Sequence, residues 1–187
     1  VVKDRYAEIR RYTFTNNSDQ DIDLELTTYS EPVLAQHTHD ENHRVFNSMN
    51  IFSEYDPEHQ LLIFSKPVPD ARESRYFVMH SLYVPDQAEA ADQPDPNDWS
   101  DLVEYETSRI KFLGRGGSLQ HAAIIESHRT LTGTVGTTLD PIMSMRRRIH
   151  LPKGKQATVI ALTGFGKARE QLVETAAQYR NMVDIDH

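Results

Sequence analysis

The stretch YAEIRRYTFTNNSDQDIDLEL, residues 6–26, decides the fold class. Tyr6 to Thr15 is rich in β-branched and aromatic residues, and Ile22-Asp23-Leu24-Glu25-Leu26 alternates apolar with acidic at period two, the mark of a half-buried strand. Between them, Asn16-Asn17-Ser18-Asp19-Gln20 offers side chains that bond their own backbone or tolerate left-handed geometry. The segment reads as a β-hairpin.

The pattern recurs downstream. Val45 to Tyr55 carries apolar residues at alternate positions, with Met49, Ile51 and Tyr55 on one face and Phe46 and Phe52 on the other. Asp56-Pro57-Glu58-His59 and Leu61 to Phe64 follow, so a second hairpin is predicted. Arg75 to Val84 reads as a strand closed by Pro85, and Pro85 to Ser100 as a long exposed loop in which Pro, Asp, Gln and Ala accumulate without period. Leu102 to Tyr105 and Arg109 to Leu113 read as short strands on either side of a bend. Gly114-Arg115-Gly116-Gly117 breaks the pattern, and Leu119 to His128 fits strand and helix equally well. Met145 to Leu151 and Ala157 to Thr163 flank Pro152-Lys153-Gly154-Lys155-Gln156, a third hairpin signal. From Lys167 to Val183, Ala168, Leu172, Ala176, Tyr179 and Val183 recur at spacings of three or four, which predicts a helix. Many short strands with one terminal helix predict an all-β fold, an antiparallel sandwich or a barrel.

Composition narrows the function. The 187 residues hold 20 Lys+Arg against 28 Asp+Glu, a net charge of −8, and a hydrophobic fraction of 38%. That fraction suffices for a core, and the acidic balance argues against nucleic acid, whose backbone is held by clustered cations. No run approaches the roughly 20 apolar residues that span a bilayer. With no cysteine, disulfides, thiolate zinc sites and cysteine catalysis are excluded. The chain starts without Met and enters a strand almost at once, so it is read as a piece of a longer protein.

Few residues carry chemistry. His37-Thr38-His39, with Asp40, Glu41 and His43, has the residue types of a transition-metal site. No second pair with ligand spacing accompanies it, so the segment reads as a solvated loop and no metal is assigned. Gly114-Arg115-Gly116-Gly117-Ser118 lacks the Lys-Ser/Thr and the helix of a phosphate loop, and no cofactor motif is present. It reads instead as a glycine-permitted bend displaying Arg115, with Arg109 near in sequence; a guanidinium there can grip sugar hydroxyls, phosphate or carboxylate, or pair with a surface acid. Glu104-Tyr105-Glu106 lies in a predicted strand whose two carboxylates share a face, which reads as solvated. No Gly-x-Ser-x-Gly or His-Glu-x-x-His motif occurs, so no catalytic residue is assigned. The sole tryptophan, Trp99, is either an exposed stacking surface for a pyranose or a plug for its loop. His80 is the one strand histidine that a mutarotase-like enzyme would have available.

The ordered set Arg10 to Ser18, Leu24 to Glu31, Glu54-Tyr55-Asp56-Pro57, Tyr105-Glu106-Thr107, Phe112-Leu113-Gly114-Arg115-Gly116, Leu131-Thr132-Gly133-Thr134, Leu139-Asp140-Pro141-Ile142 and Arg146-Arg147-Arg148 before Leu151-Pro152 resembles a known family. It is similar to the β-sandwich, glycosyltransferase-36-associated domain of glycoside hydrolase family 94, the family of glycoside phosphorylases and cyclic β-1,2-glucan synthetases. Pro85 to Ser100 and residues 37–43 match nothing in it. The resemblance implies a galactose-mutarotase-like supersandwich over residues 1–166, with residues 167–187 starting a helical linker to a catalytic (α/α)6 barrel that lies outside this chain. It implies a non-catalytic domain that binds or positions β-glucan or an oligosaccharide, on the cytoplasmic side of a bacterial inner membrane within a larger membrane protein. The adjacent barrel is the implied intramolecular partner, and a homodimer is left open. The residues nominated for sugar are Arg109, Arg115, Asp140, Trp99 and Tyr105; the competing reading is a structural or interface module, which an exposed apolar patch at Phe112 and Leu113 would favour.

Overall fold

A computed structural model describes residues 6–67, 75–85 and 102–180. In chain order the elements are β1 (Ala7–Thr15), β2 (Ile22–Thr27), α1 (His37–Met49), β3 (Phe52–Asp56), β4 (Leu61–Ser65), β5 (Phe77–Tyr83), β6 (Glu104–Ser108), α2 (Arg109–Leu113), α3 (Ala123–Glu126), β7 (Gly136–Thr137), β8 (Pro141–Leu151), β9 (Gln156–Gly166) and α4 (Arg169–Arg180). One sheet has the order β1-β9-β5-β4-β3-β7 and the other β2-β8-β6, with every pairing antiparallel. Mostly antiparallel strands with a C-terminal helix match the expected sandwich.

Alternation along the strands builds three layers. Leu62 and Phe64 of β4 join Met143, Met145, Ile149, Val159 and Ala161 in the core between the sheets. Their neighbours Leu61 and Ile63 face the other way, onto Leu172, Ala176 and Tyr179 of α4. Strand β4 is therefore buried throughout, which is why its sequence, Leu-Leu-Ile-Phe-Ser, shows no alternation. Arg169 locks the start of α4 to the β3–β4 turn, its Nε on Glu54 Oε1 at 2.7 Å and its Nη2 on Asp56 Oδ2 at 2.8 Å. The helix predicted from Lys167 to Val183 is present as α4, Arg169–Arg180, the last described residue being Arg180.

Two predicted hairpins are not hairpins. β1 pairs with β9 and β2 with β8, so the 16–21 turn carries the chain from one sheet to the other. The 152–155 turn does the same between β8 and β9. Turn chemistry announces a reversal but not which sheet receives the returning strand; Tyr12 and Phe14 of β1 and Leu24 and Leu26 of β2 reach the core between the sheets from its two sides. The two arches nest. Asn16 N–H donates to Lys155 O at 3.0 Å, Gly154 N–H donates to Asn16 O at 3.1 Å, and the buried Asn16 Nδ2 reaches both Gln20 O and Leu151 O. Gly154, at φ +69°, takes the left-handed backbone this contact needs. The β3–β4 hairpin is present, but it starts at Phe52.

Two further readings are corrected. Residues 37–49 form a helix, kinked at His43 (φ −139°, ψ 38°), so neither a solvated loop at 37–43 nor a strand from Val45 exists. The apolar positions 45, 46 and 49 satisfied alternation only in part, and helical spacing equally well. Arg109–Leu113 is also helical, because Phe112 and Leu113 turn inward together onto Ala122, Ile124, Leu131 and Ile142. Gly114 at φ +81° then ends that turn.

Candidate functional site

The α2 turn and the segment that follows it gather three of the nominated residues. Strand β6 ends at Ser108, and Arg109 N–H donates to Asp140 O at 3.1 Å, so backbone pairing brings Asp140 beside α2. The side chains then close on each other: Arg109 Nη1 donates to Asp140 Oδ2 at 2.9 Å, and Arg109 Nε lies 3.6 Å from Glu31 Oε1. Glu31 also accepts from Tyr29 Oη at 2.9 Å and pairs with Arg44. Its bond to Asp140 holds the Arg109 guanidinium above its ordinary pKa, while burial, then Glu31, pushes the Tyr29 phenol up to about 12. Glu31, Arg44, Asp140, Asn47 and Ile51 line a cleft beside α1 with room for about one water. The network is charged and mutually paired.

Arg115 has a different setting. Gly114 (φ +81°) and Gly116 (φ +73°) both take the left-handed conformation, as the flanking glycines suggest. Gly117 is fixed for another reason: a Cβ there would sit 2.0 Å from Leu113 O. The bend is thus a built platform, and Arg115 stands on it exposed, meeting no partner among the described residues. Tyr105 stacks on Tyr55 with ring centroids 4.0 Å apart, at the rim of the core between the sheets. Trp99 and the predicted loop after Pro85 lie outside the described residues.

Sequence reasoning missed a charged ladder across the outer face of the three-stranded sheet. The register places Asp23 against His150, Glu25 against Arg148, Thr27 and Glu104 on either side of Arg146, and Glu106 against Ser144. Arg146 is 0% exposed. Its Nε donates to Thr27 Oγ1 at 2.9 Å and its Nη1 to Arg129 O at 2.8 Å, with Glu104 Oε2 at 3.6 Å. The 129–134 segment covers the ladder: Leu131 N–H donates to Glu104 Oε2, and Thr132 Oγ1 donates to Glu106. Glu106 Oε1 further accepts from Thr107 and Ser108 N–H. Glu104 and Glu106 are therefore buried, not solvated as predicted. Opposite charges at period two on segments 23–25, 104–106 and 146–148 were the available signal.

The remaining nominees are placed as follows. His80 is buried between the sheets, Nε2 to Thr28 Oγ1 at 2.8 Å and Nδ1 to Thr163 Oγ1 at 3.0 Å, and burial drives its pKa down to about 4. It is a neutral strut between the sheets with no open face. Phe112 and Leu113 are 3% and 5% exposed, so no apolar patch lies there. His37, His39 and His43 are exposed along α1, and among the described residues no group of three or more His, Cys, Asp or Glu converges as metal ligands do.

The description that matches this chain is the glycosyl hydrolase 94 supersandwich domain, over residues 1–182. The chain is 32% identical over 187 residues to the cyclic beta-(1,2)-glucan synthase NdvB of Rhizobium meliloti (strain 1021), a match covering 100% of this chain. It spans 6% of the length of that relative.

Proposed function

The chain belongs to the glycosyl hydrolase 94 supersandwich family, and from that premise we propose that it is a non-catalytic domain of a glucan synthase-type protein which positions β-glucan or an oligosaccharide beside a catalytic (α/α)6 barrel. Arg115 carries this reading. An exposed guanidinium on a rigid bend offers fork-shaped donors to adjacent sugar hydroxyls without first breaking an internal ion pair. Arg109 and Asp140, already paired, set the bend's position on α2. Tyr105 contributes through the rim stack, and Trp99 remains a nominated stacking surface. The burial of Glu104 and Glu106 and the enclosure of His80 support a role without acid–base chemistry of its own. The family relation supports a place on the cytoplasmic side of a bacterial inner membrane; no helix among the described residues is long and apolar enough to cross one. Residues 167–187 lead from the sandwich, 1–166, toward the barrel.

Calorimetric titration with linear and cyclic β-1,2-glucans tests the proposal. Millimolar or tighter binding, weakened severalfold by Arg115→Ala, is expected. Silence with every sugar, with normal glucan processing by the intact protein carrying Arg115→Ala, overturns it.

A second reading, an interface module without sugar affinity of its own, is favoured by α1. That helix is inverted: Asn47 is buried and receives Lys66 Nζ at 2.7 Å, while Val45 and Phe46 are 72% and 62% exposed. An outward apolar face is what a protein contact uses. Silent calorimetry together with a protected α1 in the intact protein would establish it.

A further inference from the structure

The register of the larger sheet gathers three aromatic rings at one of its ends. Phe165 N–H donates to Tyr6 O at 2.9 Å, and Val78 of β5 lies opposite Phe165 on the other side of β9. Directly opposed residues project from the same face of a sheet. Tyr6, Phe165 and Val78 therefore share the face that, farther along these strands, forms the core between the sheets. Alternation returns Tyr76, two residues before Val78, to the same face. This row lies one step past His80, where Thr28 still binds the face from above. Beyond that point Tyr6, Phe165 and Tyr76 are 73%, 45% and 44% exposed.

The three rings make a platform. Tyr6 and Phe165 have centroids 4.6 Å apart and planes 32° apart, and Lys167 Nζ stands 5.9 Å over the Tyr76 ring. Neighbouring strands are about 4.8 Å apart, so rings on three of them span roughly 10 Å. Glu8 and Arg10 follow Tyr6 on the same face of β1, both exposed and paired at 3.1 Å. The margin thus offers hydrogen-bond donors and acceptors whose charges offset each other. Tyrosine adds a hydroxyl at the tip of each of its rings, so the surface is apolar on its flat faces and polar at its edges. The outward face of α1 differs, since Val45 and Met49 there have no flat face to offer.

We propose that Tyr6, Phe165 and Tyr76 form a second sugar site, apart from the Arg115 bend, which stacks a neutral gluco-oligosaccharide on its ring faces. A pyranose matches the surface group by group: its C–H face is apolar and lies flat on an aromatic ring, while its hydroxyls ring the edge and reach Glu8, Arg10 and the tyrosine hydroxyls. An acidic ligand would meet Glu8 beside the cations, so the balanced margin selects an uncharged one. The choice of glucan as the sugar rests on the positioning role proposed above; the place of the platform rests on the register alone.

NMR of the 187-residue chain with labelled Tyr, Phe and Arg side chains, titrated with linear β-1,2-gluco-oligosaccharides, reads both sites at once. Shift changes are expected at Tyr6, Phe165 and Tyr76, with Kd raised about tenfold by Phe165→Ala, as truncating an aromatic anchor does. Tyr6→Phe keeps the ring and should stay within about twofold of wild type, whereas Tyr6→Ala should not. Tyr6→Ala also repeats the test at the most exposed ring should Phe165→Ala fail to fold. Ring shifts that persist in Arg115→Ala support the platform whatever becomes of the bend. Shifts confined to Arg115 overturn the platform and leave the positioning role standing, and silence with every oligosaccharide overturns both. Ring shifts that follow protein concentration instead of sugar assign the surface to a second copy and overturn the proposed occupant.

Discussion

Arginine does opposite work in two regions of this domain. On β8, Arg146 is enclosed beneath the 129–134 segment, bonded to Thr27 and the Arg129 carbonyl and close to Glu104. On the bend after α2, Arg115 is exposed and meets no partner among the described residues. Both belong to short Gly- or Arg-rich motifs that look equally suited to binding. What separates them is the layer above: one has a loop and carboxylates over it, the other has nothing over it among the described residues. A guanidinium already committed to internal partners cannot be offered to a ligand without exposing buried charge.

The comparison breaks most readily at Arg146. Arg146→Ala should cost about 3–5 kcal/mol, because it leaves Glu104 buried beside a weakened set of partners. Urea unfolding measures it, and a loss under about 1 kcal/mol would return Arg146 to the class of surface ion pairs. The next effect follows from pH. His80 has a folded pKa of about 4, below its ordinary 6.5, so burying it neutral adds stability that is fully present above about pH 6.5 and is lost as pH falls toward 4. The loss is roughly 3 kcal/mol. In His80→Gln the fall in unfolding free energy between pH 7 and pH 4 should be shallower by that amount; parallel slopes would show that the imidazole charges without penalty.

The bend itself gives the third. Gly117→Ala forces a Cβ into Leu113 O and should cost on the order of 2 kcal/mol, whereas Gly116→Ala, with nothing within 4 Å, carries only the positive-φ penalty of about 1 kcal/mol. Equal melting temperatures for the two would mean that the bend is not a rigid platform. The smallest effect on stability belongs to Arg115→Ala, within about 0.5 kcal/mol of wild type. A loss of several kcal/mol would make Arg115 a second Arg146.

Legibility in the sequence followed the same division between local and layered information. Alternation in Ile22 to Leu26 and helical spacing in 169–180 are properties of one segment, and both were readable. The arches at Asn16 and Gly154 were not, because a turn motif is identical whether the chain returns beside itself or beneath itself. Val45 to Met49 misled because the residues a helix would normally bury point outward. Among the nominated residues, the pairing of Arg109 with Asp140 was open to inference from their shared turn-rich context. The burial of Glu104 and Glu106 was not, since it depends on the 129–134 segment lying over strands far away in the chain.

The nested arches also set a timetable for the ribosome. Thr15 and its partner Gln156 are 141 positions apart, and β2 likewise waits for β8. At about 5–20 residues per second, β1 and β2 emerge roughly 7–30 s before the strands β9 and β8 that pair with them. During that interval Tyr12, Phe14, Leu24 and Leu26 lack the partner strands that hold them in the finished sandwich. The same wide separation slows refolding, since loop closure must precede any contact that rewards it. This places the hazard of misassembly in synthesis, at the N-terminal strands, before the finished sandwich exists.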